Sequence, residues 1–485
     1  MKRPWKISHP LLVLLLTFTV TACSDDVQPG PDAGVDTLQT DTLGEGILVD
    51  AAPPKYRGQV DELVRPMMEG KWTAGLVVGL VSADGKEVYT YGEVAAGGAK
   101  PDEHTLFEVG SITKTFTSLV LAELAADGEV MLTDPVKALL PSSEVTMPSH
   151  KGEEITLLHL STHTSGLPRM PDNFTSPTNP EDPYGDYTVD QLYTFLNGYT
   201  LPRAPGATWE YSNLAGALLG HTLALKAGET YPALVAERIT SPLNLQDTVF
   251  TLSSEQSERF AQGHNGDLKA RSSWELEVFA PAGGLRSSAQ DMLSYLAAQA
   301  GITTSSLSTS MAETHTSRFK SSNVEMGLGW VIGDTGYHWH NGTTGGFETF
   351  VAFDTQAKVG VVVLANTLTA YYAQTSLGKA LIKLMTKQSY EPVALPPSVS
   401  VSAETLDLYV GTYSADFTVT ITREGDALVL AQAGHPDQPL YAKTEKIFYR
   451  RTKVVEITFV KDSTGAYPSL SYSSSDGTTT LFRAP

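Results

Sequence analysis

A proline-rich segment, residues 391–397, divides the sequence into two parts with different hydrophobic periodicities. Before this segment, apolar residues recur at both strand and helix spacing, whereas beyond it they alternate with a period of two. Proline has no amide donor and interrupts regular elements, so neither pattern can continue through the segment. We therefore expect a larger body at 53–388, a linker at 389–400 and a smaller β-domain at 401–485.

The larger part begins and ends with strand patterns and has helix patterns between them. Residues 74–81 predict a buried strand, and Asp84 with Gly85 predicts a tight turn into a second strand at 87–91. Later strands are predicted at 327–333, 336–341, 347–354 and 359–365, and helices at 111–126, 155–165, 213–226, 230–238, 289–299 and 373–386. The polar residues 166–206 are expected to form a long surface excursion. Because one sheet must join strands from both ends of this part, the fold class is predicted as α+β.

The sequence beyond the linker predicts antiparallel strands. Residues 417–422 and 427–430 alternate in hydrophobicity and flank the turn residues 424–426, which is typical of a hairpin. Residues 454–460 and 469–472 continue the alternation. A small antiparallel β-barrel or sandwich is therefore expected.

The first 52 residues have the features of a targeting signal followed by a flexible linker. Three positive charges precede a short apolar run at 11–20, and Cys23 follows in a pattern that resembles a bacterial lipobox. We expect 1–22 to be a signal peptide and Cys23 to carry a lipid anchor, although a free cysteine near an ordinary cleavage site would give the same pattern. Residues 23–52 predict a flexible acidic linker. The expected location is the bacterial cell envelope, and Ser24 favours the outer membrane by resemblance to Gram-negative lipoproteins.

Composition excludes several classes of partner. With 34 basic and 54 acidic side chains, the chain carries a net charge of −20 and should repel nucleic acid. One cysteine excludes an internal disulfide framework and a Cys-rich zinc site. His159 and His163 are four residues apart, but no metalloprotease glutamate accompanies them. We expect neither a metal nor another cofactor.

The pattern Ser-x-x-Lys occurs at Ser111, Ser317 and Ser376, and only the first occurrence stands where a helix is predicted to start. There the Ser111 hydroxyl would face the positive end of the helix dipole, and Lys114 would lie on the same face one turn along. The alternative is a capping serine followed by a solvated lysine.

Two further patterns place polar groups beside predicted elements. Tyr211 and Asn213 precede a helix. A phenol near an ammonium group can be held as phenolate and act as a general base, whereas the alternative is a capping asparagine beside a packed tyrosine. His-Asn-Gly occurs at 264–266 and at 340–342. Glycines after the second occurrence would let a ligand approach a strand edge closely.

In this order, Ser-x-x-Lys, Tyr-x-Asn and His-x-Gly resemble the serine hydrolase family of class C β-lactamases and penicillin-binding DD-peptidases. The resemblance covers about residues 55–388. It implies an antiparallel sheet flanked by helices with an all-helical subdomain, and a lipocalin-like C-terminal β-barrel. It also implies a hydrolase without metal or cofactor that acts on β-lactams, D-amino-acid peptides or small esters.

The resemblance assigns roles to individual residues. Ser111 is expected to be the nucleophile that forms an acyl-enzyme. Lys114 and Tyr211 are expected to share the proton of Ser111 and pass it to the leaving group. Asn213 is expected to hydrogen-bond Lys114 and the substrate amide.

The resemblance also predicts the oxyanion hole and one departure. The backbone amides of Ser111 and Thr343 are expected to bind the oxyanion, with Gly342 on the substrate-binding edge. His340 stands where β-lactamases carry lysine. At an unperturbed pKa of about 6.5, His340 would be about a quarter charged at pH 7, so carboxylate substrates should improve as pH falls.

A second hypothesis is a catalytically idle envelope lipoprotein that uses the cleft to bind peptidoglycan or a partner protein. In either case the expected ligands are small molecules or peptidoglycan-derived. Tyrosines in 184–198 are candidates for lining a groove, with local packing as the alternative. The β-domain is expected to shield or shape the cleft, or simply to pack on the body.

Overall fold

The computed structural model describes residues 54–174, 177–433 and 435–484. The predicted signal peptide at 1–22, Cys23 and the acidic linker 23–52 lie outside the described residues. Within the described ranges, no helix combines the length and apolar character that crossing a bilayer requires.

The body contains one large antiparallel sheet and several two- or three-stranded ones. Its strands are β1 (Gly75–Ser82), β2 (Gly85–Gly92), β3 (Phe107–Glu108), β4 (Ser149–His150), β5 (Glu153–Glu154), β6 (Gly263–Asn265), β7 (Ala270–Arg271), β8 (Arg286–Ser287), β9 (Phe319–Lys320), β10 (Glu325–Met326), β11 (Val331–Ile332), β12 (His338–Thr343), β13 (Glu348–Asp354), β14 (Val359–Ala365) and β15 (Thr367–Leu368). The large sheet has the order β2-β1-β14-β13-β12-β11-β10-β9. Strand β1 therefore pairs with β14, which confirms that strands from both ends of the body close one sheet.

The helices lie on both faces of the sheet and beside it. They are α1 (Arg57–Glu69), α2 (Thr113–Ala126), α3 (Leu157–Ser161), α4 (Val189–Gly198), α5 (Asn213–Ala227), α6 (Tyr231–Val235), α7 (Ser254–Glu258), α8 (Ala280–Gly283), α9 (Ala289–Gln299), α10 (Ser308–His315), α11 (Ala373–Met385) and α12 (Ala403–Asp407). Short 3-10 turns occupy Gly110–Ile112, Val136–Ala138 and Glu277–Phe279, and a π-helical turn occupies Ala236–Thr240. Helix α5 packs against α2, α3, α6 and α8, which gives the helical subdomain.

The central strands are apolar throughout because both of their faces are buried. In β14, Val361 and Val363 face a core shared with α1 and α11, whereas Val362 and Leu364 face the core that contains α2 and α9. Successive side chains of a strand point to opposite faces, so burial on both sides requires an unbroken apolar run. Strand β12 pairs with β13 along its whole length but with β11 only at His338 and Trp339, and the site is built at the remaining end of β12.

The second domain is a closed antiparallel barrel, which decides between the two predicted β architectures. Its strands are β16 (Gly411–Ser414), β17 (Thr418–Glu424), β18 (Ala427–Ala431), β19 (Gln438–Ala442), β20 (Ile447–Tyr449), β21 (Val455–Val460), β22 (Ser469–Ser474) and β23 (Gly477–Arg483). The predicted hairpin is confirmed as β17 and β18, with Glu424 opposite Ala427. The ring of Tyr409 stacks on Phe459 at 4.1 Å and joins the buried cluster of this domain.

A buried arginine joins the barrel to the body. Arg451 is 4% exposed, and its guanidinium lies 4.5 Å from the ring centroid of Trp72 and 3.9 Å from that of Tyr441. The same group donates to the carbonyl oxygens of Gly70 and Lys71, which follow α1. Cation–π contacts and charge-assisted hydrogen bonds are strong when desolvated, so this contact fixes the barrel on the body.

Candidate active site

Ser111 lies in a 3-10 turn that leads into α2, pressed against the end of β12. The preceding Gly110 has φ +52°, and a Cβ there would lie 2.8 Å from the amide nitrogen of Thr343. Only glycine fits such a positive φ with so close a neighbour. No side-chain capping bond forms at the turn or at α2, so the capping interpretation of Ser111 is wrong.

Lys114 is buried beneath Ser111 rather than solvated. Its Nζ lies 3.0 Å from Ser111 Oγ, 3.0 Å from Asn213 Oδ1 and 2.6 Å from the carbonyl oxygen of Ala282. Burial, and then the positive charge of Arg169, lower the pKa of Lys114 well below its usual value. A neutral amine fits these contacts, because its two N–H groups donate to the amide and carbonyl oxygens and its lone pair accepts from the hydroxyl.

Tyr211 lies beside the same residues. Its ring centroid is 5.0 Å from Lys114 Nζ, and the Ser111 hydroxyl acts on the pKa of its phenol. Burial raises the pKa of Tyr211 to about 12, although Ser111 and the charge of Arg169 oppose the shift. The raised pKa favours the neutral phenol over the phenolate that the sequence analysis considered, because burial penalises the charged form.

His340 is neutral, which overturns the expectation of a partly charged imidazole. It is buried on β12, and its Nδ1 lies 2.7 Å from the carbonyl oxygen of Asn341. Burial, and then Lys114, lower the pKa of His340 to about 3. An imidazole with that pKa carries no charge at pH 7, so its titration cannot attract a carboxylate.

The predicted oxyanion residues separate into two roles. Ser111 and Thr343 both line a cavity of about 20 Å³. Gly342 instead packs against the segment that carries Ser111, since a Cβ there would lie 1.9 Å from the carbonyl oxygen of Val109. Thr349 Oγ1 donates to that same oxygen at 3.0 Å, which fixes the distance between the turn and the sheet.

Aromatic side chains from two distant segments close this cavity. Tyr184, from the predicted surface excursion, lines it together with Trp274 and Phe279. The ring centroid of Tyr184 lies 5.1 Å from that of Trp274 and 5.4 Å from that of Phe279. The excursion therefore folds back over the site and also contains α4. Among the tyrosines of 184–198, Tyr193 hydrogen-bonds His221 outside the cavity lining.

His163 lies at the site, although the sequence analysis considered it only as a metal ligand. Its ring lies 4.4 Å from that of Tyr211. Its Nδ1 accepts the Ser212 N–H at 3.2 Å, and its carbonyl oxygen accepts the Glu210 N–H at 2.8 Å. His163 has φ +59°. It thus contacts each of the residues 210–212, and because 48 positions separate it from Tyr211, no sequence pattern signals these contacts.

A buried carboxylate links the nucleophile segment to the aromatic residues. Glu108 Oε1 accepts the backbone N–H of Trp274 at 2.9 Å and lies 4.0 Å from the guanidinium of Arg286. Burial raises the pKa of Glu108, and its hydrogen bonds and the charge of Arg286 oppose this shift. Arg286 in turn donates to the carbonyl oxygen of Trp274. No sequence pattern signals this contact, which joins residues 166 positions apart.

The other motif occurrences lie in ordinary structural environments. Lys320 forms an ion pair with Glu325, and Lys379 lies 4.2 Å from the ring centroid of Trp339. His264 is buried, with Nδ1 3.0 Å from the carbonyl oxygen of Asn366. Only Ser111 and its partners converge, and their arrangement is of the serine-hydrolase class.

Comparisons with known proteins agree with this class. A family model described as Beta-lactamase matches residues 60–380. The D-alanyl-D-alanine-carboxypeptidase/endopeptidase AmpH of Escherichia coli (strain K12) is 28% identical over 369 residues, covering 70% of this chain and 91% of that protein. A Beta-lactamase of Pseudomonas fluorescens is 28% identical over 347 residues, covering 64% of this chain and 93% of that protein.

Solved structures give the same result for the fold. The Beta-lactamase/D-alanine Carboxypeptidase from Yersinia pestis complexed with citrate has a TM-score of 0.59 and 25% identity, covering 68% of this chain and 99% of that chain. A class C beta lactamase from Rhodobacter sphaeroides has a TM-score of 0.56 and 27% identity, covering 64% and 93%. The chain belongs to the Beta-lactamase family, and its relatives and fold make it a hydrolase of that family.

Proposed function

We propose that the protein hydrolyses its substrate through an acyl-enzyme on Ser111. The observation that carries this proposal is the contact set of Lys114, whose neutral amine lies 3.0 Å from Ser111 Oγ. Such a base can take the hydroxyl proton while Oγ attacks the carbonyl carbon of the substrate. The result is a tetrahedral intermediate and an ammonium group at Lys114.

The oxyanion of that intermediate is stabilised by the backbone amides of Ser111 and Thr343. Each such donor typically contributes about 10²–10³ in rate. When the intermediate collapses, the bond to the leaving group breaks and the leaving group needs a proton. Tyr211 donates its phenol proton to the leaving group and takes up the proton of the Lys114 ammonium group, which restores the neutral amine and leaves an ester on Ser111.

Water then hydrolyses the ester by the reverse proton path. A water molecule loses a proton to the Lys114–Tyr211 pair, attacks the ester carbon and releases a carboxylic acid product. The proton returns to Oγ, which regenerates Ser111. No metal or other cofactor is needed for these steps.

We infer that the substrates are β-lactams or D-amino-acid peptides, so that the bond broken is an amide. The names of the relatives support this class, because they are a carboxypeptidase/endopeptidase and β-lactamases. Small esters are the alternative, since a cavity of about 20 Å³ beside Ser111 is closed by aromatic side chains. A catalytically idle binding protein is the second candidate class.

The test is covalent labelling followed by a substrate panel. The protein is incubated with a fluorescent penicillin and with a fluorophosphonate, and the labelled peptide is identified by mass spectrometry. Nitrocefin, a D-Ala-D-Ala peptide and a nitrophenyl ester then rank the three chemistries. A label on Ser111, absent in Ser111→Ala, supports the proposal. Equal turnover by wild type and Ser111→Ala, or no label and no turnover, would refute it.

We further propose that the protein is held in the bacterial envelope by a lipid at Cys23. The support is the charged and apolar run that precedes the cysteine. Expression of the full chain with labelled fatty acid should place label and protein in the membrane fraction, and Cys23→Ser should lose the label. Equal labelling of both forms would contradict this location.

A further inference from the structure

Arg169 is an exposed cation at the site that has no anionic partner among the described residues. No hydrogen bond or ion pair of its guanidinium occurs within the described ranges, and its contact is with the ring of Tyr211, 5.2 Å from the centroid. Acidic side chains outnumber basic ones by 54 to 34 in this chain. Glu210, the residue before Tyr211, pairs with Arg203.

The backbone holds Arg169 at the start of α5, next to the catalytic residues. Its carbonyl oxygen accepts the N–H groups of Asn213 at 3.0 Å and of Leu214 at 3.3 Å. Tyr211, on whose ring the guanidinium lies, is close enough to Ser111 for that hydroxyl to act on the pKa of its phenol. One side chain therefore separates this cation from the nucleophile.

The charge of Arg169 acts on groups on several sides of the site. It lowers the pKa values of Lys114 and His163, and it opposes the raised pKa of Tyr211. It also opposes the raised pKa of Tyr184, which lines the cavity. An anion that enters beside these residues thus meets the field of one guanidinium.

Neither of the other basic groups at the site can bind an anion in this way. Lys114 is a buried amine whose contacts are with Ser111, Asn213 and a carbonyl oxygen. His340 is buried and neutral. A guanidinium stays charged at any working pH and presents paired N–H groups that match the two oxygens of a carboxylate.

We propose that Arg169 forms a carboxylate-binding subsite, so that this enzyme selects substrates bearing a carboxylate near the scissile bond. The inference rests on the proposed acyl-enzyme function. The carboxylate has two possible sources, which are the acyl group and the leaving group of the substrate. The recognition is the same in both cases, and the experiment distinguishes them.

The first arm tests a carboxylate on the acyl group. Nitrophenyl hydrogen glutarate is compared with nitrophenyl valerate, in which a methyl group replaces the carboxylate. The ratio of their kcat/KM values is measured for wild type, Arg169→Gln, Arg169→Lys and Lys226→Gln. Lys226 is an exposed lysine in the last turn of α5, so Lys226→Gln controls for the change in net charge.

The second arm tests the leaving group and needs no turnover. Binding of acetyl-D-Ala-D-Ala and of its C-terminal amide is measured by calorimetry on Ser111→Ala, with and without Arg169→Gln. A charged hydrogen bond of ordinary strength corresponds to about a 10- to 100-fold preference for the carboxylate. That preference should vanish in Arg169→Gln, persist in part in Arg169→Lys and weaken as salt is raised.

The outcomes of the two arms either support or overturn the carboxylate-binding subsite at Arg169. Loss of the preference in either arm, with Lys226→Gln like wild type, supports the subsite and identifies its source. An unchanged ratio in the first arm and unchanged binding in the second would overturn it. An equal loss for both members of each pair would also overturn it, because Arg169 would then act on Lys114 and not on substrate. Absence of any turnover by wild type would refute the proposed function, while the binding arm would still test Arg169.

Discussion

Replacing His163 should disconnect Tyr211 from the backbone that positions it. In His163→Ala the buried N–H of Ser212 loses the acceptor that now lies 3.2 Å away. An unsatisfied buried donor costs about 1–3 kcal/mol, and loss of an aromatic pair such as that with Tyr211 adds about 0.5–1.5 kcal/mol. The expected loss of unfolding free energy is about 2–4 kcal/mol, together with a fall in kcat.

His163→Asn is the matched variant because it keeps an acceptor at nearly the same place. Asparagine also tolerates the left-handed backbone that His163 adopts at φ +59°, which alanine tolerates less well. We expect this variant to recover the hydrogen-bond part of the stability and some activity. Urea denaturation of all three proteins, with kcat/KM across pH, measures both effects. Wild-type stability and activity in His163→Ala, or equal losses in His163→Asn and His163→Ala, would contradict this role of His163.

Three further predictions concern packing, acid stability and the domain contact. Gly342→Ala should lower the unfolding free energy measured with urea by about 1–3 kcal/mol and lower activity, because the new Cβ would lie 1.9 Å from the Val109 oxygen. The control Gly58→Ala places its Cβ in open space and should be neutral or stabilising. Equal effects of the two substitutions on stability would contradict this packing. His340 and His315, with pKa values lowered to about 3, contribute stability that is present above the unfolded value of about 6.5 and is lost as pH falls toward 3. Burial raises the pKa of Glu348 to about 8, so this group contributes stability that is lost as pH rises from about 4.5 toward 8, the opposite of the histidine effect. Glu348→Gln should therefore make the unfolding free energy fall more steeply as the solution is acidified. A free energy of unfolding that does not change with pH would contradict this assignment. Arg451→Ala should separate the unfolding of barrel and body into two transitions in calorimetry, and a single unshifted transition would show that the contact with Trp72 and Tyr441 does not couple them.

The strands of the large sheet and the candidate site residues could be predicted because their signals are local in sequence. Residues 289–299 were predicted as a helix, and α9 spans Ala289–Gln299. The Ser111 turn, the Tyr211 segment and His340 were found as short motifs, and they converge because the Ser111 turn packs against β12 and α5, which follows Tyr211, packs against α2. Helix α1 was missed because its apolar positions face the second core, which only the folded sheet creates.

The chemical state of the site could not be predicted, because it depends on burial and on contacts between distant segments. Tyr184 and Trp274 meet at 5.1 Å although 90 positions separate them. The pKa of His340 was expected near its ordinary value, whereas burial lowers it to about 3. Arg169 carried no motif signal, and its exposure beside Tyr211 is visible only in the structure.

The proposed mechanism requires Lys114 to be an uncharged base for Ser111 in the resting site. Its most direct test is the pH dependence of the acylation rate constant, measured by stopped-flow with a fluorescent penicillin under single-turnover conditions. Burial lowers the pKa of Lys114, so acylation should rise with pH and reach its plateau well below pH 10. Lysine at its ordinary pKa of about 10.4 would instead give a rate that still climbs tenfold per pH unit between pH 8 and pH 10, and that result would contradict the account.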